Sequence, residues 1–112
     1  MTDTLDAAAY TDTAIARDER RLIFANNWAL FGPEHELASP GDYVAQSVNG
    51  WPIVVLRDRD GALRAFHNVC RHRAAALFDE GAGACKAKIT CPYHGWSYEL
   101  DGRLALAPRF GE

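Results

Sequence analysis

Two short segments of the chain carry residue types that bind metals. They are Cys70-Arg71-His72 and Cys91-Pro92-Tyr93-His94, and 18 residues separate His72 from Cys91. Each segment offers one thiolate and one imidazole, so two loops that approach each other present four ligands to one centre. Cysteine and histidine are rare here, with three and four copies in 112 residues. Two matched pairs this close together therefore predict a metal centre rather than a coincidence.

Three kinds of site are compatible with these four residues. A structural zinc site accepts two cysteines and two histidines, but zinc fingers usually group like ligands with like. A disulfide between Cys70 and Cys91 would leave both histidines without a role. A [2Fe–2S] cluster in which two histidines replace two cysteines on one iron explains why each segment mixes the two types. We favour the cluster, and Gly95 beside His94 would let the backbone approach it closely.

The remaining cysteine and histidines fall outside this pattern. Cys85 is predicted to be a free thiol, His35 a surface residue and His67 a packed or capping residue near the first segment. A mononuclear iron site needs two histidines and a carboxylate. His35 and His67 stand 32 residues apart in different regions of the chain. No second iron site is evident, so the sequence assigns no catalytic residue to this chain.

Short β segments and turns must position the two metal-binding segments. Asp60-Gly61 and Asp101-Gly102 predict two hairpins, and residues 70–95 show little β pattern. Strands are predicted at 43–48, 53–57, 63–66, 96–98 and 104–106. Strands this short and closely spaced are typical of a small antiparallel sandwich or barrel. Before them, residues 13–25 predict a short helix whose N-cap is Thr11, Asp12 or Thr13.

Length and composition limit the class of protein. A chain of 112 residues is the size of one domain, and its core is thin because 19 of its apolar residues are alanine. The net charge of −3 argues against nucleic-acid binding. The sequence contains no apolar run long enough to span a membrane and begins with no secretory signal. These features, with an odd number of cysteines, predict a cytoplasmic protein with reduced thiols and no membrane partner.

The two metal-binding segments and their flanks resemble a known family. Residues 66–73, Phe-His-Asn-Val-Cys-Arg-His-Arg, and residues 91–96, Cys-Pro-Tyr-His-Gly-Trp, are similar to the ligand loops of Rieske [2Fe–2S] domains. More narrowly, the chain resembles the N-terminal domain of Rieske non-heme iron oxygenase α-subunits. That group includes aromatic-ring-hydroxylating dioxygenases and related monooxygenases. Leu22-Ile23-Phe24, Pro40-Gly41-Asp42-Tyr43 and Leu100-Asp101-Gly102 extend the likeness over nearly the whole chain.

The resemblance implies a ligand set and a fold. Cys70 and Cys91 would bind the inner iron, and His72 and His94 the outer, solvent-facing iron. The fold would be mainly β and of the Rieske type, with an antiparallel sandwich or barrel as its base. A small cluster-binding lobe, residues 68–98, would be inserted into that base, and a short helix would precede it. All 112 residues would form this single domain.

The resemblance also implies a function and its partners. In this family electrons pass from NAD(P)H through a reductase, with or without a ferredoxin, to the cluster and then to a mononuclear Fe(II) that activates O2. The chain would be the electron-transfer domain of such an oxidoreductase, and its catalytic mononuclear-iron domain is absent here. We therefore expect the chain to be part of a longer α-subunit. Its partners would be a reductase or ferredoxin that donates electrons and a neighbouring oxygenase subunit in a homotrimer. A stand-alone Rieske-type ferredoxin, which carries electrons without catalysis, is the alternative.

Several positions depart from the Rieske proteins of respiratory complexes. Those proteins carry two further cysteines where this chain has Ala75 and Tyr93, and a serine where it has Trp96. Fewer donors to the cluster sulfurs imply a lower reduction potential. Tyr98 is expected to keep one hydroxyl contact to a cysteine sulfur, and Trp96 to pack in the interior. Exposed positions beside the first histidine are predicted for Arg71 and Arg73.

Overall fold

A computed structural model describes residues 4–110, and the chain divides into two compact units, one up to Phe31 and one from Gly32. The first unit is helical, with α1 at Ala8–Thr11, α2 at Thr13–Leu22 and a 3₁₀ turn at Phe24–Asn26. No helix in the described part of the chain is both long and apolar enough to cross a bilayer.

Helix α2 begins where the sequence predicts and ends earlier. Asp12 is its N-cap, and its carboxylate accepts a hydrogen bond from the Ala14 N–H at 2.8 Å. The predicted end at residue 25 is wrong, because the helix stops at Leu22. Side-chain amides satisfy the carbonyls at this end: Asn26 Nδ2 donates to the Leu22 carbonyl at 3.1 Å. Asn27 Nδ2 donates to the Ile23 carbonyl at 2.7 Å. The same carbonyl accepts the Asn26 N–H at 3.1 Å, so the chain continues as the 3₁₀ turn and not as α-helix.

The second unit is mainly β, as predicted. A 3₁₀ turn at Glu34–Leu37 precedes the strands. The strands are β1 at Asp42–Val48, β2 at Trp51–Arg57, β3 at Leu63–His67, β4 at Gly81–Ala84, β5 at Ile89–Thr90, β6 at Ser97–Tyr98 and β7 at Leu104–Leu106. All pairings are antiparallel, in one sheet of order β3-β2-β1-β4 and a second of order β5-β6-β7.

Both predicted hairpins are confirmed, and the structure adds a third. The β2–β3 hairpin turns at Asp60-Gly61, and the β6–β7 hairpin at Asp101-Gly102. The third turn, between β1 and β2, consists of Asn49 and Gly50. Both have positive φ, at 51° and 85°, which is the backbone of a two-residue turn that follows the twist of its strands.

Strand β4 has no counterpart among the predicted strands. Its residues are Gly-Ala-Gly-Ala and all four are exposed, so it lacks the alternating apolar side chains that identify a strand. The pairing with β1 requires small residues there. A Cβ at Gly83 would lie 2.6 Å from the Tyr43 hydroxyl oxygen, so the tyrosine ring covers this strand only because glycine occupies the position. β4 therefore joins the larger sheet although it lies within residues 68–98.

The interior of the second unit is thin, as the composition predicts, and contains the predicted ligand cysteines. Leu56 and Val54 are its largest fully buried side chains. The buried cluster around Leu56 consists of Cys70, Ile89, Cys91, Trp96, Tyr98 and Leu100. Because few large aliphatic side chains are present, the residues that flank the two metal-binding segments supply much of the apolar packing.

Candidate metal centre

The first metal-binding segment forms a closed loop, residues 70–75, here called loop 1. The Cys70 N–H donates to the Ala75 carbonyl at 2.7 Å, and the Ala74 N–H donates to the Cys70 carbonyl at 2.8 Å. Ala74 has a φ of 58°, a left-handed conformation that is unfavourable for a residue with a Cβ. These two bonds bring the ends of the loop together and leave His72 at its tip, where it is exposed.

The second segment, residues 91–96 or loop 2, closes in the same way. The Cys91 N–H donates to the Trp96 carbonyl at 2.7 Å, and the Gly95 N–H donates to the Cys91 carbonyl at 3.1 Å. Gly95 has a φ of 78° and occupies the position in loop 2 that is equivalent to Ala74 in loop 1. A Cβ at Gly95 would meet nothing within 4 Å, so the described residues require glycine for its φ and not for space. The two loops thus share one shape.

The loops bring the four predicted ligand residues into one region. The imidazole centroids of His72 and His94 lie 4.9 Å apart with the rings edge to face. Cys70 and Cys91 are buried beneath, with exposed fractions of 2% and 4%. The thiols therefore lie on the inner side of the site and the imidazoles on the outer side, with His72 exposed and His94 half-buried.

The Cys70 sulfur lies among hydrogen-bond donors. Its Sγ is 3.2 Å from the Tyr98 hydroxyl, which confirms the predicted tyrosine contact. Burial raises the pKa of the Cys70 thiol, but bonds from Tyr98, the His72 N–H, Cys91 and the Arg73 N–H together outweigh it and lower the pKa. The thiolate is the form that binds a metal, so this environment favours the ligand state.

His94 is prepared for a ligand role by its surroundings. Its Nδ1 is buried and has no hydrogen-bond partner in the part of the chain that the structure describes. Burial lowers the pKa of His94, and the positive charges of His72, Arg73 and Arg109 lower it further. A neutral imidazole with an unpartnered buried nitrogen is the form that binds a metal ion. The site therefore fits a metal centre on the chemistry of its own residues.

The donor set fits a binuclear cluster, because it divides into a pair of buried thiols and a pair of outer imidazoles. Each iron of a [2Fe–2S] cluster needs only two protein ligands, because two sulfides bridge the irons and complete their coordination. Two buried thiols and two outer imidazoles match that requirement. A tetrahedral zinc site would need all four around one point.

One supporting residue was not identified from the sequence. Asn68 is buried and connects the start of loop 1 to residues 77–78. Its Oδ1 accepts hydrogen bonds from the N–H groups of Leu77 and Phe78 at 3.1 and 3.0 Å, and its Nδ2 donates to the Phe78 carbonyl at 2.8 Å. A single asparagine near a cysteine does not indicate such a role in the sequence, because its hydrogen-bond partners lie nine and ten residues further along the chain.

The structure also places the residues that the sequence excluded from the site. Cys85 is half-buried, with its Sγ 3.4 Å from the Gly41 carbonyl oxygen, and burial raises the pKa of its thiol. His35 is exposed, as predicted. His67, predicted to be a packed or capping residue, is not packed, because it ends β3 and is exposed. Its backbone carbonyl accepts a hydrogen bond from the Val69 N–H, and a capping role for its side chain stays a prediction. Exposure is confirmed for Arg71 and Arg73, and burial for Trp96.

Comparison with known proteins agrees with this geometry. The chain is 45% identical over 104 residues to the carnitine monooxygenase oxygenase subunit of Acinetobacter baumannii, which covers 93% of this chain and 28% of that protein. It is 38% identical over 104 residues to the benzene 1,2-dioxygenase subunit alpha of Pseudomonas putida, covering 93% of this chain and 23% of that protein. The chain thus spans less than a third of the length of these relatives.

Solved structures agree as well. A quaternary ammonium Rieske monooxygenase, whose structure bears on carnitine oxidation and inter-subunit electron transfer, superposes with a TM-score of 0.86. It is 45% identical, over 91% of this chain and 28% of that one. The family model of the Rieske [2Fe–2S] domain matches residues 27–112. The sequence match over residues 27–112 and the superposition together show that the chain belongs to the Rieske [2Fe–2S] domain family.

Proposed function

We propose that this chain is the electron-transfer domain of a Rieske-type oxygenase, with Cys70 and Cys91 on the inner iron and His72 and His94 on the outer iron. The observation that carries the proposal is the pair of loops with identical closure. They bury two thiols and hold two imidazoles whose ring centroids lie 4.9 Å apart. When bound, a [2Fe–2S] cluster supplies a centre that takes up and releases one electron at a time.

The residues around the site have distinct roles in this proposal. The donors at Cys70 Sγ favour the thiolate and distribute the negative charge of the sulfur. The apolar cluster around Leu56 excludes water from the inner side. His72 and His94 form the outer side, where His72 is open to solvent. Electrons would therefore enter and leave through the imidazoles, because the thiols have no exposed face.

The proposed partners are a reductase or ferredoxin as electron donor and a neighbouring oxygenase subunit in a homotrimer as acceptor. A related monooxygenase structure bears on inter-subunit electron transfer, which supports the second partner. The exposed His72 and the arginines near His94 offer a surface on which either partner could approach. We further propose that residues 68–98 act as the cluster-binding lobe, and that the mononuclear iron belongs to a catalytic domain beyond this chain.

The relatives favour the oxygenase over the stand-alone ferredoxin. The matches to oxygenase subunits extend over 104 residues, which is more than the Rieske domain at residues 27–112 alone. The likeness therefore includes part of the helical first unit. The parent gene provides a direct test: we expect the reading frame to continue past Glu112 into a domain with two histidines and a carboxylate. A stop codon at that point would support the ferredoxin.

Metal analysis tests the centre itself. The chain purified without oxygen should contain about two irons and two sulfides. After reduction it should give a rhombic EPR spectrum with the low average g value of mixed histidine and cysteine ligation. One equivalent of zinc in a colourless protein would contradict the proposal.

A further inference from the structure

We infer that Trp96 is a positioning residue for the outer iron, because its indole holds the His72 imidazole in the orientation that a ligand needs. The inference rests on the proposed cluster site. The two rings are stacked, with centroids 4.6 Å apart and planes 11° from parallel. Trp96 belongs to loop 2 and His72 to loop 1, so the stack links the two loops on the outer side of the site.

His72 needs such a support more than His94 does. His72 is exposed at the tip of loop 1, where an imidazole would otherwise sample several rotamers. His94 is half-buried, its ring centroid lies 3.8 Å from that of Tyr93, and its Nδ1 is enclosed. A ligand that is already ordered loses less conformational entropy when it binds a metal. The stack on Trp96 supplies for His72 the order that burial supplies for His94.

Trp96 is itself fixed well enough to orient a neighbour. It is 7% exposed and belongs to the buried cluster around Leu56. Its carbonyl accepts the 2.7 Å hydrogen bond from the Cys91 N–H that closes loop 2. Phe110 packs edge to face on the indole, with centroids 5.5 Å apart. The indole is therefore a rigid surface whose place is set by the loop that carries Cys91 and His94.

The unpartnered indole N–H of Trp96 indicates that this residue does more than fill space in the interior. Trp96 Nε1 is buried and finds no acceptor among the residues that the structure describes. An apolar side chain of similar size would avoid an unpartnered donor, so packing alone does not account for tryptophan here. The flat face toward His72 is the feature that an aliphatic residue could not provide.

Substitutions that separate the aromatic face from side-chain volume test the inference. Trp96→Phe keeps a ring and removes the N–H, whereas Trp96→Leu and Trp96→Met give apolar side chains without a ring that are close to phenylalanine in volume. Leu100→Ala is the matched control, because Leu100 is 2% exposed in the same buried cluster. Each variant is loaded with iron and sulfide, reduced, and examined by pulsed EPR for the ¹⁴N hyperfine couplings of the two histidine ligands. Thermal unfolding is measured in parallel.

We expect Trp96→Leu to shift or broaden the coupling of one histidine and leave the other unchanged, while Trp96→Phe restores most of the normal coupling. Leu100→Ala should lower the melting temperature without altering either coupling. Unchanged couplings in Trp96→Leu, or equal changes at both histidines, would overturn the inference. If the aliphatic variants fail to hold iron while Trp96→Phe holds it, the ring is needed and the inference stands. If all three variants fail alike to hold iron, an aromatic ring does not suffice at this position and the inference is overturned.

The same experiment distinguishes this inference from the proposed function. If the unaltered chain gives no iron–sulfur spectrum with two histidine couplings, the proposed site itself is wrong. If the unaltered chain gives that spectrum and the Trp96 variants do not change it, the site stands and only the positioning role is lost.

Discussion

The three cysteines of the chain lie in different chemical environments. Cys70 and Cys91 are buried at the inner side of the two loops, and donors around Cys70 lower the pKa of its thiol. Cys85 is half-buried beside the Gly41 carbonyl, and burial raises the pKa of its thiol. Protonated, half-buried thiols behave as small apolar side chains. Cys70 and Cys91 are therefore the two thiols that we propose as iron ligands.

This difference predicts the outcome of single substitutions. Cys70→Ser or Cys91→Ser should abolish the visible absorption of the cluster, because a hydroxyl is a far weaker ligand for iron than a thiolate. Cys85→Ser should retain full iron content and shift the free energy of unfolding by about 1 kcal/mol or less. Iron analysis and absorption spectra of the three variants check this. Loss of colour in Cys85→Ser with retention in Cys70→Ser would show that the ligand assignment is wrong.

At the scale of single residues, sequence reasoning identifies candidate ligands better than the residues that support them. Cysteine and histidine in a fixed spacing indicate a metal centre because few other roles need that combination. Asn68 and the Trp96–His72 stack show no comparable pattern, since their partners are brought close only by the tertiary fold. Tyr98 was found through the family resemblance rather than from composition or periodicity.

Because loops 1 and 2 have the same shape, their positions can be compared, and one equivalent position holds alanine in loop 1 and glycine in loop 2. Gly95 and Ala74 both have positive φ, at 78° and 58°. Glycine adopts this conformation freely, whereas an L-residue with a Cβ is disfavoured there by about 1–2 kcal/mol. Loop 1 therefore holds strain that loop 2 avoids.

Exchanging these residues should shift stability in opposite directions. Ala74→Gly should raise the free energy of unfolding by about 1 kcal/mol, and Gly95→Ala should lower it by about the same amount. The melting temperature of the loaded chain should rise and fall by roughly 4 °C respectively. Ala82→Gly, in an exposed strand position with no positive φ, is the control for added flexibility and should not stabilise. A destabilised Ala74→Gly variant would contradict the role assigned to loop strain.

The β2–β3 hairpin depends on a buried carboxylate. Asp58 is 2% exposed. Its Oδ1 accepts hydrogen bonds from the N–H groups of Asp60 and Ala62, both at 2.9 Å. Its Oδ2 accepts a 2.8 Å bond from Arg64 Nε. Chiefly the Arg64 bond, with the backbone bond from Ala62, lowers the pKa of Asp58 against the opposing effect of burial.

The lowered pKa of Asp58 predicts an acid-sensitive contribution to stability. This contribution is complete above the ordinary carboxyl pKa near 4 and is lost as the pH falls through the lower pKa of the folded state. Asp58→Asn should therefore unfold more easily than the unaltered chain at pH 7, and this difference in stability should narrow as the pH falls below about 4. Denaturant unfolding followed by circular dichroism measures both free energies of unfolding at each pH. Subtracting one from the other removes the contributions of the titrating groups that the two chains share. A difference that widens in acid would contradict it.

At the scale of elements, the hairpins are predictable and β4 is not. Asp60-Gly61 and Asp101-Gly102 indicate turns because these residues tolerate the required φ and ψ. Asn49-Gly50 carries the same signal and could have been used in the same way. Strand β4 has no apolar face to detect, and its pairing depends on β1 and Tyr43 from a distant part of the chain. Tertiary contact, rather than local sequence, determines it.

On the scale of the whole second unit, the metal centre and the core are one structure. Cys70 and Cys91 belong to the buried cluster that contains Leu56, whereas Ala45 and Val54 of the larger sheet are buried outside it. A small core with few large side chains gains much of its stability from a bound centre that ties two loops together. Function and folding therefore depend on the same contacts.

Removal of iron should therefore loosen the two loops before the larger sheet. We expect the amides of Cys70 and Cys91, which are hydrogen-bonded across their loops, to exchange with solvent at least tenfold faster in the iron-free chain. The amides of Ala45 and Val54 should change much less. Hydrogen–deuterium exchange followed by mass spectrometry measures both sets. Equal acceleration in the loops and the sheet would show that the unit unfolds as a whole when iron is lost.

Strand β4 has a consequence for handling the isolated chain. It lies at one edge of the described four-stranded sheet, and its small glycine and alanine side chains do not shield the unpaired backbone groups of that edge. Exposed edges invite another strand to add, and proteins commonly protect them with charge, proline or short length. Here only the length of four residues and the flanking Glu80 and Lys86 offer protection. At high concentration, edge-to-edge aggregation through Gly81–Ala84 is therefore the expected route of loss, and a lysine at Ala82 would suppress it.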